Sequence, residues 1–178
     1  MNLLISPHDD DSHLIACYTL IREKPLVVVC TDSYIQHLRG ELGCDAETRA
    51  KETEAACKAV GCASIRLGIR DDSVTDEALS KAFRGFTGFE KIYIPAVQGG
   101  NTCHDAVGRV GKDCFPQAIR YTTYTKTELW TRGTTELIPS EEEKTLKIKS
   151  LNCYQSQINL PATRPHFLAV ANKSEWYD

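Results

Sequence analysis

The sequence predicts a Rossmann-like, doubly wound α/β fold, with a mostly parallel sheet and helices on both faces. Apolar segments of strand length alternate with segments of helical length four times between residues 3 and 118, a pattern typical of parallel sheets with crossover helices. The segment Leu26–Cys30 is apolar throughout and rich in β-branched residues, which favours an interior strand. Right-handed crossovers then bring the C-terminal ends of these strands to one edge of the sheet.

Turn and capping residues set the bounds of these elements. Asp11 or Ser12 is expected to cap the first helix, Asp45 to cap the second, and Gly61 to end it. Residues 34–44 show no clear period and are expected to form a loop over the site. The predicted strands are 3–5, 26–30, 64–69 and 91–96, and the predicted helices are 14–21, 46–60, 75–83 and 104–118.

The pattern changes in the last third of the chain. Residues 121–126 and 128–131 alternate like strands, and 132–133 form a turn between elements. Ser140 is expected to cap a helix that runs to about Cys153, and 167–171 to form a final strand. With 178 residues, 42% of them hydrophobic, the chain suits one well-packed core, and residues 1–178 are interpreted as a single domain.

Charge and cysteine content restrict the class of partner. The formal charge of −3 comes without a run of basic residues, so nucleic acid and anionic membranes are not expected partners. Eight dispersed cysteines without a CxxC pair indicate free thiols in a reducing compartment. No apolar segment approaches the roughly 18 residues that span a bilayer, and the expected location is the cytoplasm. Small molecules or proteins are the favoured partners, and a homo-oligomer is left open.

Polar residues cluster where the predicted strands end. His8 and the run Asp9-Asp10-Asp11 follow the first strand, and His104 follows the fourth. Two histidines and one aspartate leave an open position for water on a divalent ion such as zinc, which lowers the pKa of that water toward about 7. A neighbouring carboxylate would then accept the proton.

Each residue also has a plainer interpretation. His104 alone would be read as a helix cap, and only the shared edge with the aspartates favours the metal site. Arg49 either reaches a polar cleft or pairs with Glu52 on a solvated face. His13 is interpreted as a packed, hydrogen-bonded histidine, and His166 as the filling of a turn.

The motifs resemble those of the PIG-L/LmbE-like family of metal-dependent N-acetylglucosaminyl deacetylases. The segment 7–12, Pro-His-Asp-Asp-Asp-Ser, resembles the family's (A/P)-H-P-D-D-E, and 101–107, Asn-Thr-Cys-His-Asp-Ala-Val, resembles H-x-D-H-x-A-V. The resemblance implies His8, Asp11 and His104 as ligands of Zn²⁺ or another divalent metal, and Asp10 as the general base. Weaker matches are Thr31-Asp32, Arg49-x-x-Glu52 and Tyr154-x-Ser156-Gln157.

Three departures from the family pattern affect the implied chemistry. Asp9 replaces a proline, Ser12 replaces a glutamate, and Asn101 stands where the family has a histidine thought to stabilise the oxyanion. An amide donates a hydrogen bond but supplies neither positive charge nor a proton.

The resemblance implies a zinc-dependent hydrolase that removes the acetyl group from an N-acetylglucosamine-type amino sugar or its conjugate. Asp10 and Asn101 are the expected catalytic residues, and Arg49 and Asp71 are expected to bind substrate. Two alternatives stay open. The same metal edge suits a phosphoesterase, and loss of turnover through Asn101 would leave a non-catalytic metal-binding regulatory domain.

Overall fold

The computed structural model describes residues 1–33, 45–128 and 131–178. The predicted loop at 34–44 lies outside these residues. The strands described are β1 Leu3–Ser6, β2 Leu26–Thr31, β3 Ala63–Ile69, β4 Ile92–Pro95, β5 Ile119–Tyr121, β6 Thr135–Leu137 and β7 Glu175–Tyr177. The helices described are α1 Asp11–Ile15, α2 Cys17–Glu23, α3 Ala46–Val60, α4 Asp76–Phe83, α5 Thr102–Cys114, α6 Glu141–Leu151, α7 Gln155–Ile158 and α8 Arg164–Val170.

The strands form one sheet in the order β3-β2-β1-β4-β5-β7-β6. The first five are parallel, whereas β7 runs antiparallel to both β5 and β6. The chain therefore proceeds outward from β1 through β2 to β3, and then crosses to the other side of β1 to form β4 and β5. The crevice between the C-terminal ends of β1 and β4 is the switch point at which such sheets bind ligands.

Helices cover both faces of the sheet, and this confirms the predicted fold class. Side chains alternate along β1 and β2, so that Leu4 and Val27 face one layer while Ile5 and Val28 face the other. The first layer contains buried residues of α2 and α3, and the second contains buried residues of α4 and α5. A third apolar cluster joins α3 to α6 and α8. No helix of the described chain is long and apolar enough to cross a membrane.

Two helix predictions need correction. The first helix is divided into α1 and α2, because Ala16 leaves the helical region with φ −134°. The helix predicted to reach residue 118 ends at Cys114, since Phe115 precedes Pro116 and takes φ −131°, and a residue before proline is disfavoured in the α region.

The C-terminal strand predictions were partly wrong. Residues 167–170 lie in α8, with Ala171 as its C-cap, rather than in a strand. A proline in the first turn favours a helix start, and Phe167 and Val170, three residues apart, are both buried. The sheet instead gains β7 at the end of the chain. Of 121–126, only Tyr121 belongs to a strand. The capping box at Ser140 is confirmed, with helix α6 ending at Leu151.

Candidate active site

The turn after β1 is held by Ser6. Its hydroxyl donates to the carbonyl of His8 at 2.7 Å and accepts from the amide of Ser12 at 3.1 Å. Helix α1 begins at Asp11 with Asp10 as its N-cap residue, and no side chain caps it. The expected capping role of Asp11 or Ser12 is therefore wrong, and the carboxylates of Asp10 and Asp11 are available to the crevice.

Three side-chain atoms converge at the switch point. His8 Nδ1 lies 2.9 Å from Asp11 Oδ2 and 3.2 Å from His104 Nε2, and His104 Nε2 lies 2.9 Å from the same Asp11 oxygen. His104 occupies the first turn of α5 and is 1% exposed. The structure thus brings together the three predicted metal ligands across 96 residues of sequence.

The electrostatics of this cluster favour a cation. Burial lowers the pKa of His8, but the adjacent carboxylates of Asp11 and Asp71 raise it well above its usual value. Burial alone would raise the pKa of Asp11, yet the two imidazoles hold it below its usual range. A buried carboxylate between two imidazoles therefore attracts positive charge, either as a proton or as a metal ion.

The donor set fits a zinc ion. Tetrahedral zinc with nitrogen and oxygen ligands at about 2.0–2.1 Å separates its ligand atoms by about 3.3 Å. The observed separations of 2.9, 2.9 and 3.2 Å require an expansion of only a few tenths of an ångström. Two neutral imidazoles and one carboxylate are also a common ligand set of catalytic zinc.

Arg49 organises the proposed base. Its guanidinium lies 3.1 Å from Asp10 Oδ1 and 3.1 Å from Glu52 Oε2, and it stacks over the ring of Tyr154 at 5.3 Å. Arg49 is 2% exposed, so the solvated-face alternative is wrong, although the pair with Glu52 exists. Burial raises the pKa of Asp10, while the guanidinium opposes that rise.

Among the described residues, the side chain of Asp9 makes no contact with the cluster formed by His8, Asp11 and His104. It is fully buried, and its carboxylate accepts from Ser33 Oγ at 2.5 Å, Thr53 Oγ1 at 2.7 Å and Arg66 Nη2 at 2.8 Å. Its backbone carbonyl accepts from the Tyr154 hydroxyl at 2.7 Å. Asp9 therefore anchors the turn that carries His8 and Asp10.

Asn101 is the N-cap residue of α5. Its Oδ1 accepts from the amides of Cys103 at 2.8 Å and His104 at 3.4 Å, which satisfies otherwise unpaired donors of the first turn. The amide nitrogen remains as the donor of the side chain, and Asn101 lines the crevice beside Tyr124. This orientation is compatible with the expected oxyanion role.

Asp71 lies in a 3-10 turn after β3. Its Oδ1 is 2.8 Å from His8 Nε2, so it fixes the orientation of that ring in the way that outer carboxylates fix metal-binding histidines. The backbone amide of Asp71 donates to Asp32 Oδ1 at 3.1 Å. The sequence predicted only a substrate contact for Asp71, and its link to His8 was missed.

The crevice has a volume of ≈ 330 Å³, and six of the seven predicted site residues line it. The seventh, His104, is buried and contacts the lining residue Asp11. Six residues that were not assigned to the site also line it: Leu14, Ser33, Tyr124, Gln157, Thr163 and His166. Tyr124 packs edge-on against His104 and against His166. The interpretation of His166 as the filling of a turn was wrong, because residue 166 lies in α8.

Two of the weaker motif matches, Arg49-x-x-Glu52 and Tyr154-x-Ser156-Gln157, are in contact with each other. Glu52 accepts hydrogen bonds from the amide of Ser156 at 2.6 Å and from its hydroxyl at 2.7 Å. Gln157, next in the chain, lines the crevice. His13 is buried between Ser150 and Cys57, and this confirms its reading as a packed histidine.

Comparison with known proteins gives likeness in structure alone. No protein-family model matches the chain, and no curated protein matches it. The N,N'-diacetylchitobiose deacetylase from Pyrococcus horikoshii superimposes with a TM-score of 0.76 at 17% identity, over 99% of this chain and 82% of that one. A triple mutant of the deacetylase Orf2 from teicoplanin biosynthesis gives 0.75 at 17% identity, over 99% and 96%.

The same fold also carries a different reaction. GalB, the 4-carboxy-2-hydroxymuconate hydratase from Pseudomonas putida KT2440, gives a TM-score of 0.74 at 12% identity, over 99% of this chain and 94% of that one. The chain therefore has the fold of these deacetylases, in agreement with the PIG-L/LmbE-like resemblance of its motifs. The chemistry must be argued from the site itself.

Proposed function

We propose that the chain is a single metal-dependent N-deacetylase domain, residues 1–178, which hydrolyses the acetamide of an N-acetylglucosamine-type sugar or its conjugate. The observation that carries the proposal is the convergence of His8, Asp11 and His104 within 3.2 Å of one another, next to the carboxylate of Asp10. Solved deacetylases with the same fold support it. The cytoplasm remains the proposed compartment, on the ground of the dispersed cysteines.

His8, Asp11 and His104 would hold the ion, with zinc as the proposed metal. When bound, such an ion acidifies water and polarises an acyl oxygen. Asp10 would accept the proton of the attacking water, and its raised pKa brings it closer to the operating pH of a general base. Arg49 holds the carboxylate of Asp10 in place through the 3.1 Å contact.

Two lining residues of the crevice, Asn101 and Tyr124, can donate to the acetyl oxygen. Asn101 presents its amide nitrogen there. The hydroxyl of Tyr124 has a pKa raised by burial and by the nearby carboxylate of Asp11, so it keeps its proton and can donate. Either group would stabilise negative charge that develops on the acetyl oxygen.

The charge of the crevice favours a neutral amide over an anionic substrate. Its described lining has three carboxylates, Asp10, Asp11 and Asp71, and one guanidinium, Arg49, which is already paired with two carboxylates. A muconate-type tricarboxylate or a phosphoester would have to rely chiefly on the proposed metal ion for countercharge, because the one guanidinium of the described lining is already paired. We therefore place deacetylation ahead of hydration and of phosphoester hydrolysis.

The test is acetate release by the zinc-loaded protein from N-acetylglucosamine and N,N'-diacetylchitobiose. Asp10→Asn should lower the rate by about 10²–10⁴-fold because it removes the proton acceptor. Asp76→Asn, an exposed carboxylate on α4, serves as the matched control and should act like the wild type. Absence of release, release undiminished in Asp10→Asn, or turnover of 4-carboxy-2-hydroxymuconate instead would refute the proposal.

A further inference from the structure

A second group of metal-binding atoms lies on the other side of the His8 ring. A ring nitrogen of His8, a carboxylate oxygen of Asp71 and Cys103 Sγ all lie within 4.8 Å of one another, and the nitrogen that contacts Asp71 Oδ1, at 2.8 Å, is His8 Nε2. The first group uses His8 Nδ1 with Asp11 and His104. One imidazole thus contributes a different nitrogen to each of two ligand sets.

Consecutive residues of α5 supply the two sets. Cys103 and His104 both lie in its first turn, and neighbouring positions on an α-helix point about 100° apart. His104 therefore faces the first set while Cys103 faces the second, with the His8 ring between them.

The second set lies between two concave parts of the surface. Asp71 and Cys103 line a depression of ≈ 200 Å³, together with Asp72 and Thr102. His8 and Asp71 line the main crevice. Asp71 therefore borders both, and Cys103 borders only the depression.

We propose that His8 Nε2, Asp71 and Cys103 form a second divalent-metal site, which shares the His8 imidazole with the first and inhibits the enzyme when filled. On binding, the Cys103 thiol and the His8 Nε2–H each release one proton to solvent, and the imidazole bridges the two ions. A thiolate, an imidazole and a carboxylate select zinc or cobalt over magnesium and calcium.

Inhibition follows from the shared ligand. A cation on Nε2 withdraws electron density from the His8 ring and takes Asp71 away from its role in orienting that ring. The second site depends on the proposed function in one respect only, namely that the first ion binds His8 Nδ1. Cys103 occupies the position at which the motif H-x-D-H has its aspartate, so the thiol is a property of this chain.

Cobalt titration of the full chain tests the site. We expect two equivalents of Co²⁺ to bind, and we expect the second to bring thiolate-to-cobalt charge-transfer absorption in the near ultraviolet. Cys103→Ser should lose that absorption and the second equivalent. Cys114→Ser, at the other end of α5, is the matched control and should keep both.

Two further variants separate the two sites. Asp11→Asn should weaken the first equivalent and keep the thiolate absorption, whereas Asp71→Asn should weaken the second. If Cys103→Ser does not fold, as judged by circular dichroism, Asp71→Asn carries the test. Binding of one equivalent without thiolate absorption in the wild type would overturn the second site alone, and absorption that survives in Cys103→Ser would do the same. Failure to bind any cobalt would overturn both sites.

Zinc inhibition supplies an independent measurement where acetate release is observed. Excess zinc should inhibit the wild type and Cys114→Ser alike. The loss of a residue that only supports a metal ligand lowers metal affinity by about 10–100-fold. The zinc concentration for half-inhibition should rise by at least that factor in Cys103→Ser, which loses a ligand itself. Equal zinc sensitivity of Cys103→Ser and the wild type would contradict inhibition through this site.

Discussion

Replacement of Asp9 by asparagine should destabilise the whole chain, although Asp9 is outside the proposed metal cluster. The side chain of Asp9 is 0% exposed and that of its partner Arg66 is 21% exposed. Arg66 also donates to the carbonyl of Ala46 at 2.7 Å, at the start of α3. The pair therefore connects the catalytic turn to β3 and to the helix that carries Arg49.

The magnitude follows from the burial of the pair. Removal of one partner of a fully buried ion pair costs about 3–5 kcal/mol, because the other charge is left unpaired. Since about a fifth of the Arg66 side chain meets solvent, we expect a loss of about 2–3 kcal/mol in the free energy of unfolding. For a chain of this size that loss lowers Tm by about 4–12 °C.

Urea unfolding followed by circular dichroism measures the effect in Asp9→Asn, Arg66→Gln and the double variant. The double variant should be more stable than the two single losses added together, because it leaves no unpaired charge. Glu47→Gln, which breaks an exposed pair with Lys51, should leave the midpoint unchanged. A wild-type midpoint in Asp9→Asn, or simple additivity in the double variant, would refute the anchoring role.

Three other changes have defined outcomes. The pKa of Glu143 is lowered from 4.5 to about 2, chiefly by the hydrogen bond from Arg22. A carboxyl group with a lowered pKa stabilises the fold at pH values above its pKa in the unfolded chain. The stability advantage of the wild type over Glu143→Gln in urea should therefore be constant above about pH 5 and shrink as pH falls from 4.5 toward 2. A constant difference over that range would contradict this. Gly100→Ala would place a Cβ 2.0 Å from the carbonyl oxygen of Tyr124, so acetate release should fall with retained zinc content, and wild-type kinetics would count against a role for Tyr124. Arg49→Lys should reduce kcat for acetate release, because an ammonium cannot reproduce the planar contact with both carboxylates, and unchanged kcat would argue against that contact.

The sequence predicted the part of the site that depends on strand ends. His8 and Asp11 directly follow β1, and His104 follows β4, so the topology of a parallel sheet was sufficient to place them together. Asp71 was also predicted in the site. Its contact with His8 was not, because the direction of a side chain within a turn is not encoded in strand alternation.

The anchoring of Asp9 could not be predicted in the same way. Its partners Ser33, Thr53 and Arg66 lie 24, 44 and 57 residues away, after β2, on α3 and on β3, and none stands at a spacing that a local pattern reveals. The replacement of a motif proline by Asp9 was the only sequence signal. The structure accounts for this replacement as a buried, fully hydrogen-bonded carboxylate.

The C-terminal region was the least predictable part of the fold. Tyr124 and His166 reach the crevice from a loop and from α8, outside the strand–helix repeat that supplied the other site residues. The apolar residues of 167–171 suit either a strand or a buried helix segment, and periodicity does not distinguish the two over so short a range. Phe167 packs against Tyr154 in the apolar cluster that joins α3 to α6 and α8, and this packing favours the helix.

Zinc retention is the measurement that tests the central claim most directly. The chain is loaded with one equivalent of zinc, dialysed against metal-free buffer and analysed for bound metal. The wild type and His166→Ala, which changes the crevice wall but no proposed ligand, should retain the equivalent. In a Cys103→Ser background, which removes the second proposed site, Cys103→Ser alone should retain the equivalent and the addition of His104→Ala should lose it, because two ligands cannot replace the buried set of three. Retention by the double variant equal to that of Cys103→Ser would contradict the metal site and with it the proposed chemistry.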